Sequence, residues 1–228
     1  MQHELSTTRR YLAVFLPLLP AERLIRQRGN APDTPFALVE KERGAMRLVA
    51  CDASALGLGL MPGTGLADAR ARVPELAVFD HDAGADLALL GWIADGCERY
   101  TPAVMLDPPQ GLLLDITGCE HVFGDETRLA KDLKARLRRH GLTCRIALGA
   151  TPDSARRKAK YAAGTISNLP VEALDGSEKV HKALRRAGLR TIGDLAIRPR
   201  KPLAARFGKS VVVNLARLLE EEDPRITP

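Results

Sequence analysis

The stretch Asp107-Pro-Pro-Gln-Gly-Leu-Leu-Leu-Asp-Ile-Thr-Gly118 sets two carboxylates around a short apolar run. Its second half reads as a buried strand with Asp115 near the end. A carboxylate pair just ahead of such a strand would hold divalent ions, because Mg²⁺ takes anionic oxygen ligands and serves phosphoryl transfer. Gln110 and Gly111 stand in that place instead. Cys119 and His121 flank Glu120 and could start a metal site, but two ligands without a second pair are a weak signal. The reading preferred for Cys119 is a small buried hydrophobe.

Cations form the other chemical pattern. Arg156, Arg157, Lys158 and Lys160 cluster, as do Lys182, Arg185, Arg186 and Arg190. At helical spacing Arg156 and Lys160 share a face, as do Lys182 and Arg186. Such clusters give sequence-independent affinity for phosphate backbones. Neutralising about four phosphates gives a log–log salt slope of roughly −3 to −4. A solvated surface is the plainer alternative. The run Gly57-Leu-Gly-Leu-Met-Pro-Gly63 lacks the GxGxxG spacing of a dinucleotide loop.

These residues need elements to position them. The apolar run that starts at Tyr11 suits a central strand ended by Pro17 and Pro20, followed by a short helix stopped at Gly29. Residues 35–52 form a hairpin around Arg43-Gly44. A short helix ends near Pro74. A longer one carries Leu89, Trp92 and Ile93 on its apolar face and stops at Pro102. The strand at Leu112–Asp115 precedes an amphipathic helix with Leu129, Leu133 and Leu137 on one side, then the strand of "TCRIALGA". After Ala150 the pattern is helical, with a domain boundary at Gly164–Leu169. The pattern is that of an α/β or α+β sheet layer with one face covered by helices, followed by an all-α C-terminal unit.

Composition sets limits. The 228 residues, 45% of them hydrophobic, suffice for one or two cores. The four cysteines, Cys51, Cys97, Cys119 and Cys144, form no CxxC pair, which argues against a disulfide framework. The apolar run Tyr11–Ala21 is too short for a membrane span and has no signal-peptide cleavage pattern, so a cytoplasmic location is expected. Of 34 Lys/Arg and 28 Asp/Glu, residues 151–228 hold 16 and 9, a net +7. The remaining 18 and 19 leave residues 1–150 at −1. A basic C-terminal third on a neutral body points to a polyanionic partner.

Three stretches, in order, resemble the Y-family translesion DNA polymerases. "GLMPGTGLADARARVPEL" looks like their fingers, "LLLDITG" like the end of their palm strand, and "LDGSEKVHKALRRAGLRTIGDLA" like their helix-hairpin-helix thumb. The resemblance implies a palm in residues 1–28 and 78–165, with a mixed or antiparallel sheet. It implies small fingers in 29–77 and a thumb in 166–228. It also places the family's catalytic carboxylates at Phe15, Gln110 and Gly111, and a carbonyl ligand near Pro17. Asp107 lies three residues too early, and Asp115 matches a later, non-catalytic Asp. The triphosphate-holding Tyr and Arg fall on Ala53 and Leu56, the steric gate falls within Leu18-Leu19-Pro20, and a Lys-Pro step is missing near Ala163-Gly164. The implication is a polymerase fold without catalysis, metal or nucleotide cofactor.

Within the family, "GLLLDITGCEHVFG" resembles the catalytically inactive ImuB branch of bacterial mutagenesis cassettes. That resemblance implies an adaptor in SOS-induced translesion synthesis. Its partners would be primer-template DNA, an error-prone C-family polymerase, the accessory protein ImuA and the sliding clamp, the clamp being met through regions past residue 228. Members of that branch continue into a little finger and a tail, so an N-terminal fragment is expected. The hairpin Leu174-Asp175-Gly176-Ser177-Glu178 keeps one family glycine and has Glu178 for the other. Its Gly176 and Ser177 remain candidates for phosphate contact, beside a purely structural role. The alternatives are an active translesion polymerase, or a protein-interaction module that touches no DNA.

Overall fold

The computed structural model describes residues 9–221. In chain order it has β1 (Tyr11–Phe15), α1 (Leu19–Arg28), β2 (Phe36–Glu42), β3 (Ala45–Cys51), α2 (Ala53–Gly57) and α3 (Leu66–Arg72). There follow β4 (Ala77–Asp80), α4 (Ala83–Cys97), β5 (Val104–Asp107), β6 (Gly111–Asp115), α5 (Glu120–Phe123), α6 (Glu126–Arg139) and β7 (Arg145–Gly149). The last elements are α7 (Pro152–Tyr161), α8 (Glu178–Arg186), α9 (Ile192–Ala196), α10 (Arg200–Phe207) and α11 (Lys209–Leu218).

The main sheet has the order β5-β6-β1-β7, every pairing antiparallel. Its two central strands are continuous apolar runs because both faces are buried. Leu12, Val14, Leu112 and Leu114 face a core shared with Leu90 and Ile93 of α4 and with Leu129, Leu133 and Leu137 of α6. Tyr11, Ala13 and Leu113 point to the other face, where Ala155 and Ala159 of α7 pack. Helices α4 and α6 thus cover one face as expected, and α7 adds a covering on the other. Alanines one turn apart let α7 approach the strands closely.

A second sheet, order β3-β2-β4, joins an antiparallel hairpin to a parallel strand. Its turn is the expected Arg43-Gly44, with φ of 50° and 86°. Two consecutive left-handed residues match the twist of a two-residue hairpin. Helices α2 and α3 close a small core on this hairpin around Leu48, Leu60 and Val73. Residues 169–218 form a separate all-helical core around Leu184, Leu195 and Leu215. No helix among the described residues is long and apolar enough to cross a membrane.

The structure corrects several readings. Pro20 does not end β1; it sits in the first turn of α1, where its missing N–H costs nothing. Helix α4 stops at Cys97, well short of Pro102. Its buried face is Leu90, Ile93 and Cys97, while Trp92 is 47% exposed. Helix α2 and strands β4 and β5 were not expected. Strand β5 lies just past the expected stop at Pro102, in a stretch to which the sequence pattern assigns no element. The Cys119–His121 reading falls partly on Glu120 and His121, whose side chains lie outside the described residues.

Candidate functional site

Two surfaces hold the candidate residues. The first is a cleft of about 370 Å³ between the β5–β6 turn, the end of β1 and helix α7. Antiparallel register sets Phe15 opposite Gly111. The amide of Leu16 donates to the carbonyl of Gln110 at 2.8 Å. Phe15, far away in sequence, therefore meets the adjacent Gln110 and Gly111 at one point of the cleft. Its acids come from elsewhere. Asp107 Oδ2 lies 3.2 Å from Arg156 Nε, and Asp153 Oδ1 lies 3.6 Å from Arg156 Nη1. Asp175 pairs with Arg157. Each carboxylate is matched to a guanidinium, and Lys160 adds a further cation to the lining. Gly111 is closely hemmed: a Cβ there would lie 2.8 Å from the Asp107 carbonyl oxygen. Among the described residues, no three His, Cys, Asp or Glu come together in a group that could hold a metal ion.

The cation cluster on α7 is split by its helical geometry. Arg156, Arg157 and Lys160 line the cleft. Lys158 turns away, with its Nζ 3.9 Å from Glu220 and its side chain only 15% exposed. Burial there pulls the Lys158 pKa below the usual lysine value, partly opposed by the Glu220 carboxylate. Lys158 therefore stands apart from the three α7 cations that line the cleft. Thr151 caps α7 by accepting from the Ser154 amide, which fixes the rotation that sorts these side chains.

The second surface is a groove of about 540 Å³ between α8 and α10. Lys179, Lys182 and Arg186 of α8 and Arg206 of α10 line it, with Glu178 and Phe207. Lys182 and Arg186 were expected to share a face and do. Arg185 is drawn aside by Glu172 and Glu178. The Arg190 amide donates to Asp194 Oδ2 at 2.9 Å. Lys179 and Arg206 were missed. The spacing of Lys179 with Lys182 was a usable signal, whereas only tertiary packing brings Arg206 in from α10. At the hairpin, Ser177 caps α8 by accepting from the Val180 amide, and Gly176 packs against the buried His181 ring. Asp175 and Glu178 flank that turn and answer Arg157 and Arg185.

Ala53 and Leu56 lie on α2, whose N-cap Asp52 accepts from the amides of Ser54 and Ala55. Neither side chain can hold a phosphate, and neither lines the cleft.

The model of the impB/mucB/samB family matches residues 21–159, more than half of the chain. The chain belongs to the impB/mucB/samB family. Within that family it is ImuB-like: it is 38% identical over 181 residues to protein ImuB of Caulobacter vibrioides, covering 75% of this chain and 40% of that protein. DNA polymerase IV of Moorella thermoacetica is 30% identical over 189 residues, covering 74% of this chain and 46% of that one. The chain thus spans less than half the length of these curated relatives. Among solved structures, DinB from Sulfolobus solfataricus superposes with a TM-score of 0.79 at 13% identity, over 95% of this chain and 68% of that one. An insertion ternary complex of Dbh DNA polymerase gives 0.79 at 14% identity, over 95% and 69%. At these identities the likeness is one of fold: this impB/mucB/samB member has a Y-family polymerase-like, α+β architecture.

Proposed function

We propose that this chain is a non-catalytic, polymerase-like scaffold that binds DNA without sequence preference and helps assemble an error-prone translesion complex in the SOS response. The observation that carries this reading is the cleft at Phe15, Gln110 and Gly111. Mg²⁺ needs converging anionic oxygens, and the residues there do not fit a pair of such ions. The nearby acids answer Arg156 and Arg157, and position 111 has no room for a side chain. In this reading residues 1–28 and 78–165 are palm, 29–77 fingers and 166–228 thumb. The cores around Leu90, Leu48 and Leu184 support that division; Ala21 and Leu24 pack with Phe36 across its first boundary, and β4 pairs with β2 across its second.

DNA contact is supported by the α8–α10 groove, where Lys179, Lys182, Arg186 and Arg206 outnumber Glu178. Cations gathered without a base-reading element hold phosphates and position a duplex without specifying sequence. The protein partners of the proposal are an error-prone C-family polymerase, ImuA and the sliding clamp, met in the cytoplasm.

Two assays test it. Primer extension with Mg²⁺ or Mn²⁺ is expected to give no incorporation, and robust incorporation by pure protein overturns the non-catalytic part. Fluorescence anisotropy on primer-template DNA is expected to show binding that weakens with salt at a slope of roughly −3 to −4. Absence of binding at low salt overturns the DNA-binding part and favours a pure protein-interaction module.

A further inference from the structure

On the palm face away from α7, helices α4 and α6 leave a groove of about 160 Å³. Its floor is apolar: Ile93 and Gly96 come from α4, Leu133 and Leu137 from α6. Trp92 and His140 form its wall. Trp92 is the only tryptophan in the chain and is 47% exposed. It is also held still. The Arg26 guanidinium lies 5.2 Å from its ring centroid, and the His140 ring meets it edge-on at 5.1 Å and 87°. Arg26 is pinned in turn, its Nη1 donating to the His140 carbonyl at 2.7 Å. An indole ordered in this way gives contact area with little entropy left to lose, a feature of interface anchors.

Two charged side chains line the groove, Asp95 of α4 and Arg136 of α6, and cations outnumber acids in the α6 turn beside them. Between Lys134 and His140 helix α6 carries Lys134, Arg136, Arg138 and Arg139 and no acid. None of these four takes part in an ion pair among the described residues. The sequence hides this patch, because residues 1–150 are close to neutral as a whole. A second copy of the chain, meeting this face with its own α6, would oppose like charges. Nucleic acid fits poorly, because Arg26 already lies over the Trp92 ring where a base would stack.

We infer that the α4–α6 groove docks an acidic peptide segment of a partner protein, one apolar side chain entering between Trp92 and Leu137 while flanking carboxylates meet Arg136 and its neighbours. Apolar anchoring gives the affinity, and the cationic rim selects the partner and speeds encounter. This site is independent of the cleft and of the α8–α10 groove.

The test is selection of short random peptides displayed on phage against the whole protein. Recovered sequences are expected to carry a leucine or phenylalanine among Asp and Glu. A synthetic representative should shift the emission of Trp92, the sole tryptophan. Arg136→Glu should weaken its binding about tenfold or more. Gly96→Gln should block the groove directly; a Cβ at Gly96 meets nothing within 4 Å, so the fold is spared. DNA affinity should be unchanged in both variants. Recovery of only basic or neutral sequences, unchanged Trp92 emission on binding, or full affinity in Gly96→Gln each overturns the inference. A single-stranded oligonucleotide that shifts Trp92 emission and is lost in Gly96→Gln overturns it too.

Discussion

Phe15 and Gly111 stand opposite each other in the β1–β6 ladder, 96 positions apart in sequence and adjacent in the sheet. The antiparallel register holds them there, so the point of the cleft that they define is as fixed as the core beneath it. Asp107 closes over that point: its carbonyl oxygen would lie 2.8 Å, and its Oδ2 3.0 Å, from a Cβ on Gly111. Gly111→Ala is therefore expected to cost about 1–3 kcal/mol, as overpacking does. Gly111→Glu should cost more. Urea unfolding of both variants measures it. An unchanged midpoint for Gly111→Ala means that the strand has slack and that the close approach is not binding.

The elements that position this site were legible in the sequence because both periodicities were clean. Leu129, Leu133 and Leu137 mark α6, and Leu112-Leu113-Leu114 mark a strand buried on two faces. Strand β5 was not legible. Val104–Asp107, just past Pro102, is four residues long, too short to show a period, and it is a strand because β6 offers it a ladder. Trp92 misled for a related reason: a large apolar side chain at helical spacing was read as core, but cation–π and aromatic contacts hold it at the surface. The cleft positions came from resemblance, and periodicity alone would not have joined Phe15 to Gly111. Charges were hardest. Lys158 and Arg156 are two residues apart and face different partners, while Arg206 reaches Lys179 only through the packing of α10 on α8.

That sorting of charges is testable. Reversal of Lys182 and Arg186 together should weaken primer-template binding strongly and make the salt slope shallower by about 2, one for each phosphate no longer neutralised. Lys179→Glu and Arg206→Glu should each weaken it, with a slope change of about 1. Lys158→Gln should leave the slope unchanged, because its ammonium is turned to Glu220. Anisotropy across a salt series distinguishes these cases. Equal losses from Lys158 and Lys182 would disprove the division between the two surfaces.

A buried ion pair ties the two sheets together. Arg23 Nε of α1 donates to Asp86 Oδ1 of α4 at 2.5 Å, and His81, just past β4, sits 2.9 Å from Oδ2. Both Arg23 and Asp86 are almost wholly buried. Removing one partner leaves a charge without compensation, so Asp86→Ala should destabilise by about 3–5 kcal/mol. The double variant Arg23→Met, Asp86→Leu removes both charges together and should recover most of that loss. Chemical denaturation of the native protein, of Arg23→Met and Asp86→Leu singly, and of the double variant gives the coupling. Additive losses would show that the pair does not act as a unit.

The thiols should separate by burial. Desolvation raises Cys51 and Cys97 to about 11, with Asp52 adding to the rise at Cys51. At pH 8 each is then about 0.1% thiolate, the only reactive form. Cys144 is raised in the same direction by burial. Cys119 is only partly buried. Brief alkylation of native protein at pH 8 should modify Cys119 alone, and all four cysteines in denaturant, as read by peptide mass spectrometry. Rapid native labelling of Cys97 would mean that the α4–α6 core opens far more often than its packing implies.

Glu22 should leave a mark on the pH profile of stability. Its carboxylate is buried on α1, and the Thr143 amide donates to both oxygens at 2.9 Å. Desolvation raises its pKa above the usual 4.5, and the Thr143 hydrogen bonds oppose that only in part. A raised carboxylate pKa means that the folded state binds more protons than the unfolded one just above pH 4.5. Stability is then lost as pH rises from 4.5 through the folded value. Asp194, whose pKa is lowered by the amides of Arg190 and Thr191, acts in the opposite sense, and below 3.8, so the two windows do not overlap. Glu22→Gln removes the titration. Relative to that variant, the native protein should lose stability as pH climbs from about 4.5 toward neutrality and hold a constant offset thereafter. Urea unfolding at stepped pH measures the difference between the two proteins. A difference that stays flat across the window would show that the Glu22 carboxylate is solvated well enough to titrate as it does in the unfolded chain.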